Sequence, residues 1–109
     1  MDFLKTFEEY EKFTESTDLG AELWYYALGL TGEAGEVAEK VKKLYRDQFG
    51  ILTFTQRSEI IKELGDTLWY LTRLAAKIGM SLETVATHNK SKLEDRVKRD
   101  KLQGSGDNR

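Results

Sequence analysis

The chain has 109 residues, a formal net charge of −2, and 33% charged against 39% apolar residues. That length suits one domain, and that mixture belongs to a water-exposed globule, which excludes membrane and fibrous classes. No cysteine is present, so disulfides, thiolate metal sites and a cysteine nucleophile are excluded, and the slight negative charge gives no bulk attraction to nucleic acid.

No apolar run approaches the roughly 20 residues of a membrane span. The start, Met1-Asp2-Phe3-Leu4-Lys5, lacks the layout of a secretory signal, so a cytoplasmic location is expected. Neither nucleic acid nor membrane is an expected partner. An anionic substrate would need a bound cation or a local basic patch.

With no proline and no long alternating apolar run, most of the chain reads as helix. The first predicted helix spans about Phe3 to Ser16, with Phe3, Phe7, Tyr10 and Phe13 forming one aromatic stripe. Thr17-Asp18-Leu19-Gly20 breaks it. The second runs from about Ala21 to Arg46 and the third from about Thr55 to Ile78, joined by a loop with at most a brief extended piece around Gly50. Gly79 stops the third helix; Ser81 caps a fourth, which Glu83 complements and which reaches about Leu102. The expectation is an all-α, four-helix bundle-like single domain over residues 1–103. Gly104-Ser105-Gly106-Asp107-Asn108-Arg109 follows as a segment that cannot extend a helix.

On the second helix, Leu23, Ala27, Leu30, Ala34, Val37, Val41 and Leu44 share a broad apolar face, with Gly29, Glu33, Glu36 and Lys40 beside it. The third repeats the plan: Ile60, Leu64, Leu68, Leu71, Ala75 and Ile78 form the face, and Glu59, Glu63, Asp66, Tyr70 and Lys77 flank it. Packing the two through those faces brings Glu33, Glu36, Glu63 and Asp66 to one edge of the bundle. Four carboxylates there repel one another unless a cation sits among them. Oxygen-only ligands suit Mg²⁺, with Mn²⁺ as a substitute, over zinc or copper. Di-iron bundles place a histidine three residues after a glutamate; Asp66 stands there instead, which favours Lewis-acid work on phosphate over oxygen chemistry. Glu39 points roughly 120° away from Glu33 and is left out.

Taken singly, each acidic pair reads more readily as a solvated helix face than as a metal site. Gly29, Gly32, Gly35 and Gly65 lie among the acids, and each costs about 0.8–1 kcal/mol against alanine, which points to close backbone packing or room for a ligand. Trp24, Tyr25, Tyr26 and Trp69 suit stacking on a base, a core or a subunit interface; His88 suits a helix surface or packing.

With Gly32-Glu33-Ala34-Gly35-Glu36 and Glu63-Leu64-Gly65-Asp66 in the contexts GEAGEVAEKVKK and KELGDTLWYL, the chain resembles the MazG-like all-α nucleoside triphosphate pyrophosphohydrolases. These are related to dimeric dUTPases and dCTP pyrophosphatases and carry EExxE, a spacer and ExxD. Asn89, Lys92 and Arg96 extend the likeness through an N-x-x-K-x-x-x-R pattern. One departure is Gly32, where the first Glu of EExxE belongs; the expected loss is peripheral to the metal site.

The resemblance implies hydrolysis of a (deoxy)nucleoside triphosphate to monophosphate and pyrophosphate, by water attack at the α-phosphorus, in nucleotide-pool house-cleaning. It implies that Glu36 both binds metal and readies the water, that Asn89, Lys92 and Arg96 hold the triphosphate, and that Tyr70, one turn beyond Asp66, contacts substrate. It also implies a homo-oligomer, with a tetramer slightly ahead of a dimer. Residues 104–109 are then either flexible or a clamp on substrate phosphate. Two other readings stay open: a non-catalytic nucleotide-sensing or protein-binding regulatory module, which Gly32 permits, and a phosphoribosyl-ATP pyrophosphohydrolase-like activity.

Overall fold

Thr6 accepts the Glu9 N–H on its hydroxyl at 3.1 Å and so caps the first helix four residues later than the sequence suggests. The computed structural model describes residues 1–100 and 103–109, with α1 at Phe7–Thr17, α2 at Leu23–Gln48, α3 at Phe54–Lys77 and α4 at Leu82–Lys98. Among the described residues there is no strand, and the fold is all-helical as expected. Phe3 precedes α1 and is 86% exposed, so the aromatic stripe starts at Phe7, and the residue α1 buries is Thr14.

Local chemistry sets the other ends. Phe49 adopts a left-handed φ of 55° after α2, and the Gly50 N–H reaches back to the Leu44 carbonyl at 3.1 Å. Thr53 caps α3, and at its other end Gly79, with φ +78°, turns the chain so that the Met80 N–H donates to Ala75 at 2.9 Å. Ser81 then caps α4 by accepting the Thr84 N–H at 3.0 Å. That helix ends at Lys98; its expected limit at Leu102 lies outside the described residues.

Helices α2 and α3 form an antiparallel hairpin. Lys40 pairs with Glu59 at 3.6 Å towards the connector, while Tyr26 meets Trp69, with ring centroids 6.3 Å apart, at the far end. The buried or half-buried seam of α2 is Tyr26, Leu30, Glu33, Val37, Lys40 and Leu44; that of α3 includes Gln56, Ile60, Glu63, Thr67, Tyr70 and Leu74. This corrects the expected faces. Leu23, Ala27 and Ala34 are exposed, as are Leu64 at 50% and Ile78 at 56%. A helix with a broad apolar band covers only one stripe against a single neighbour. Here the covered stripe is the one where Gly29 leaves room for the Tyr70 ring.

Helices α1 and α4 lie against α3 and each other. Thr14 and Thr72 are buried without penalty because their hydroxyls donate to Glu11 and Leu68 carbonyls of their own helices, each at 2.6 Å. The Leu82 N–H donates to the Glu11 carboxylate at 3.3 Å and ties the start of α4 to α1. A groove of about 900 Å³ runs between α1, α3 and α4, lined by Phe7, Leu68, Leu71, Leu82 and Val85 among others.

The accessible surface of 8671 Å² exceeds the roughly 6,200 Å² of a compact monomer of this mass. The radius of gyration, 16.8 Å, likewise exceeds the roughly 13 Å expected for this length. Leu28, Phe54, Ile61 and Leu64 are each at least half exposed, so one copy leaves wide apolar faces uncovered. No helix is long and apolar enough to cross a membrane.

Candidate metal and nucleotide site

Glu33 of α2 and Glu63 of α3 face each other along the hairpin seam, and Asp66 stands one turn beyond Glu63. One carboxylate oxygen from each lies within 4.8 Å of the other two. The first two side chains are half-buried, and Asp66 is exposed at the mouth. The acids are therefore part of the packed seam, where the sequence pattern put them beside it. Tyr70 over Gly29 closes one end of the cluster and the Lys40–Glu59 pair bounds the other.

Burial pushes the Glu33 carboxyl above its ordinary range, and the charges of Asp66, Glu63 and Glu36 push it further. Glu36 is exposed and close enough to add to that field, but it is not among the residues whose oxygens come within 4.8 Å. Three oxygen donors gathered this closely suit a hard divalent cation, so the donor set fits the ion expected from sequence.

Beside the acids runs a chain of rings. Tyr70 packs at 5.0 Å from Trp69 and 6.0 Å from Tyr25, which lies 5.5 Å from Tyr26 and 6.4 Å from Trp24. A hydrogen bond with Tyr25, followed by burial and the charges of Tyr25, Glu33 and Asp66, pushes the Tyr70 phenol up to about 12. Trp69 does not project from the fold: its Nε1–H donates to Thr17 at 2.7 Å and its ring rests on Tyr26.

The Tyr25 partnership and the approach of Tyr10 were not legible. Tyr10, on α1, is half-buried, and both burial and the Asp66 charge push its phenol up. Tyr10 and Asp66 belong to helices whose packing leaves no local pattern, so no sequence signal could have joined them.

The basic residues of α4 divide. Lys92 Nζ lies 3.2 Å from an Asp107 carboxylate oxygen, and Arg96, only 4% exposed, donates to the Asp107 carbonyl at 2.6 Å. Asn89 is exposed on the rim of the α1–α3–α4 groove. Lys92 and Arg96 thus come together around Asp107, not around the acids. His88 is exposed, and Glu39 turns away to Lys42 at 2.9 Å and Lys43 at 3.7 Å.

Residues 24–99 match the MazG nucleotide pyrophosphohydrolase domain family. The chain is also 48% identical over 87 residues to Gene 37 protein of Mycobacterium phage L5, an alignment covering 80% of this chain and 76% of that protein. No solved structure matches. The matched span includes Glu33, Glu63, Asp66 and the rings beside them, and the chain belongs to the MazG nucleotide pyrophosphohydrolase domain family.

Proposed function

We propose that the protein hydrolyses a (deoxy)nucleoside triphosphate to the monophosphate and pyrophosphate with Mg²⁺, by water attack at the α-phosphorus, as a cytoplasmic cleanser of the nucleotide pool. The observation that carries this reading is the convergence of Glu33, Glu63 and Asp66 within 4.8 Å, in a chain of this family. Glu33, Glu63 and Asp66, with Glu36 beside them, hold the ion, and Mn²⁺ can replace it. An ion held there would supply Lewis-acid stabilisation of charge on phosphate oxygens.

The chain's own groups do the rest. Glu36, with its side chain in water, orients or deprotonates the attacking water. Tyr70, locked by Gly29 and Tyr25, offers a ring edge of the aromatic row to the base. Asn89, Lys92 and Arg96 bind the triphosphate as donors to its oxygens. Residues 1–103 form the catalytic domain.

The working form is a homo-oligomer, a tetramer ahead of a dimer. Surface in excess of a compact monomer by roughly 2,500 Å² is ample for a standard interface, which takes about 800 Å² per partner.

The test is pyrophosphate release from a panel of ordinary and modified triphosphates, with phosphoribosyl-ATP alongside, in Mg²⁺ and in Mn²⁺. Turnover lost in Glu36→Gln and Asp66→Asn is the expected result. No release from any triphosphate defeats the reading, and release from phosphoribosyl-ATP alone replaces it.

A further inference from the structure

Residues 103–109 fold back along α4. Gly104 and Gly106 turn the chain with φ of +127° and +82°. Two hydrogen bonds then tie it back, Arg96 to the Asp107 carbonyl and Arg99 to the Arg109 carbonyl, each at 2.6 Å, and Arg109 donates within the segment to the Gly106 carbonyl at 2.7 Å. The Asp107 carboxylate lies 3.2 Å from Lys92 Nζ and 3.5 Å from an Arg96 nitrogen.

We propose that this segment is a displaceable occupant of the Lys92–Arg96 anion site: the Asp107 carboxylate stands where a substrate phosphate oxygen binds, and the triphosphate expels it. The inference rests on the reading above, in which Lys92 and Arg96 contact the triphosphate, and it adds how access to them is regulated.

Carboxylates and phosphates are recognised by the same donors, with an arginine fork and a lysine ammonium as the usual pair. The Arg96 side chain is 5% exposed and one of its nitrogens already donates to the Asp107 carbonyl, so a second anion reaches that nitrogen only when the segment leaves. The occupant is also weakly held. Asp107 is 84% exposed, so solvent and salt screen its side of these ion pairs. A triphosphate presents several anionic oxygens to the same two cations and outcompetes one screened carboxylate. Lys92, and then Arg96, hold the Asp107 carboxyl below its usual range, so at neutral pH it competes as a full anion.

A ligand that must wait for an open state binds with its affinity reduced by the open fraction. Removing the occupant therefore tightens substrate binding and leaves the chemical step alone. In the full chain, Asp107→Asn, and separately deletion of residues 104–109, should lower KM for the preferred triphosphate by roughly three- to tenfold with kcat unchanged. Inorganic tripolyphosphate should inhibit both variants more tightly by the same factor.

The chain has no cysteine, so Ser105→Cys carries a single nitroxide label. Tripolyphosphate should raise the mobility of that label. A KM that rises in either variant makes the segment a clamp on substrate and overturns the proposal, as does a KM unchanged in both. A label that tripolyphosphate leaves immobile also overturns it. Failure of the wild-type protein to release pyrophosphate would instead defeat the reading of the active site, while the label still reports whether an anion expels the segment.

Discussion

Asp18 accepts the Arg73 Nε–H at 2.7 Å, and this pair ties the end of α1 to the C-terminal half of α3. The Tyr26 hydroxyl at 2.5 Å and the Gly20 N–H at 2.9 Å complete the carboxylate's shell, and a further Arg73 nitrogen reaches Thr14 at 3.4 Å. The Arg73 side chain is only 13% exposed and that of Asp18 6%. By fixing α1 on α3, the pair also holds Tyr10 near Asp66. Removing one member of a part-buried, hydrogen-bonded pair costs less than the roughly 3–5 kcal/mol of a fully buried one, so Asp18→Asn should lower stability by about 1–3 kcal/mol in urea titrations.

Acid should undo the same junction. Burial disfavours the charged Asp18, but the Tyr26, Gly20 and Arg73 hydrogen bonds and the Arg73 charge outweigh it and bring the carboxyl down to about 2. Its folded pKa lies below its unfolded one. The associated stability is complete above about pH 5 and drains away as pH falls through about 2. Melting temperatures between those limits should fall more steeply for wild type than for Asp18→Asn; parallel curves would place the acid sensitivity elsewhere.

Glu33 has the opposite sign. Its folded pKa is raised, so metal-free protein should lose stability as pH rises and the carboxyl ionises among Asp66, Glu63 and Glu36. A bound cation removes that cost. Mg²⁺ should raise the melting temperature in EDTA-stripped protein more at alkaline than at acidic pH, and the rise should be lost in Glu33→Gln. An equal rise in that variant would put the ion somewhere else.

Gly29 and Gly32 should respond differently to alanine. A Cβ on Gly29 runs into the Tyr70 ring, whereas one on Gly32 meets nothing within 4 Å. Overpacking of this kind costs roughly 1–3 kcal/mol, while alanine in an open helix interior gains up to about 1 kcal/mol over glycine. Gly29→Ala should therefore be destabilised and its tyrosine environment altered in near-ultraviolet circular dichroism. A Gly29→Ala protein as stable as wild type would mean that the ring is free to move.

Light scattering after gel filtration should give two or four times the 12.5 kDa chain mass. Ile61, 66% exposed on α3, offers a probe: Ile61→Glu should shift the protein towards the single-chain mass, because a charge cannot be desolvated in an apolar contact at small cost. A single-chain mass for the wild type at micromolar concentration would remove the oligomer from the proposal.

The sequence by itself determined the helices, their breaks at Gly50 and Gly79, the Ser81 cap and the family. These follow from the missing proline, from capping chemistry within a few residues and from acids at fixed spacing, all of which are local. It left open which stripe of α2 turns inward. The expected face and the observed seam share Leu30, Val37 and Leu44, so a 3.6-residue period fits both, and only the approach of Tyr70 to Gly29 selects the one that carries Glu33 into the seam. Tertiary structure alone decided three further matters: that Asp18 meets Arg73, 55 residues on, that Tyr10 lies near Asp66, and that Asp107 lies on Lys92 and Arg96. Each joins elements whose sequence patterns are complete without the other, and only packing brings their charges within reach.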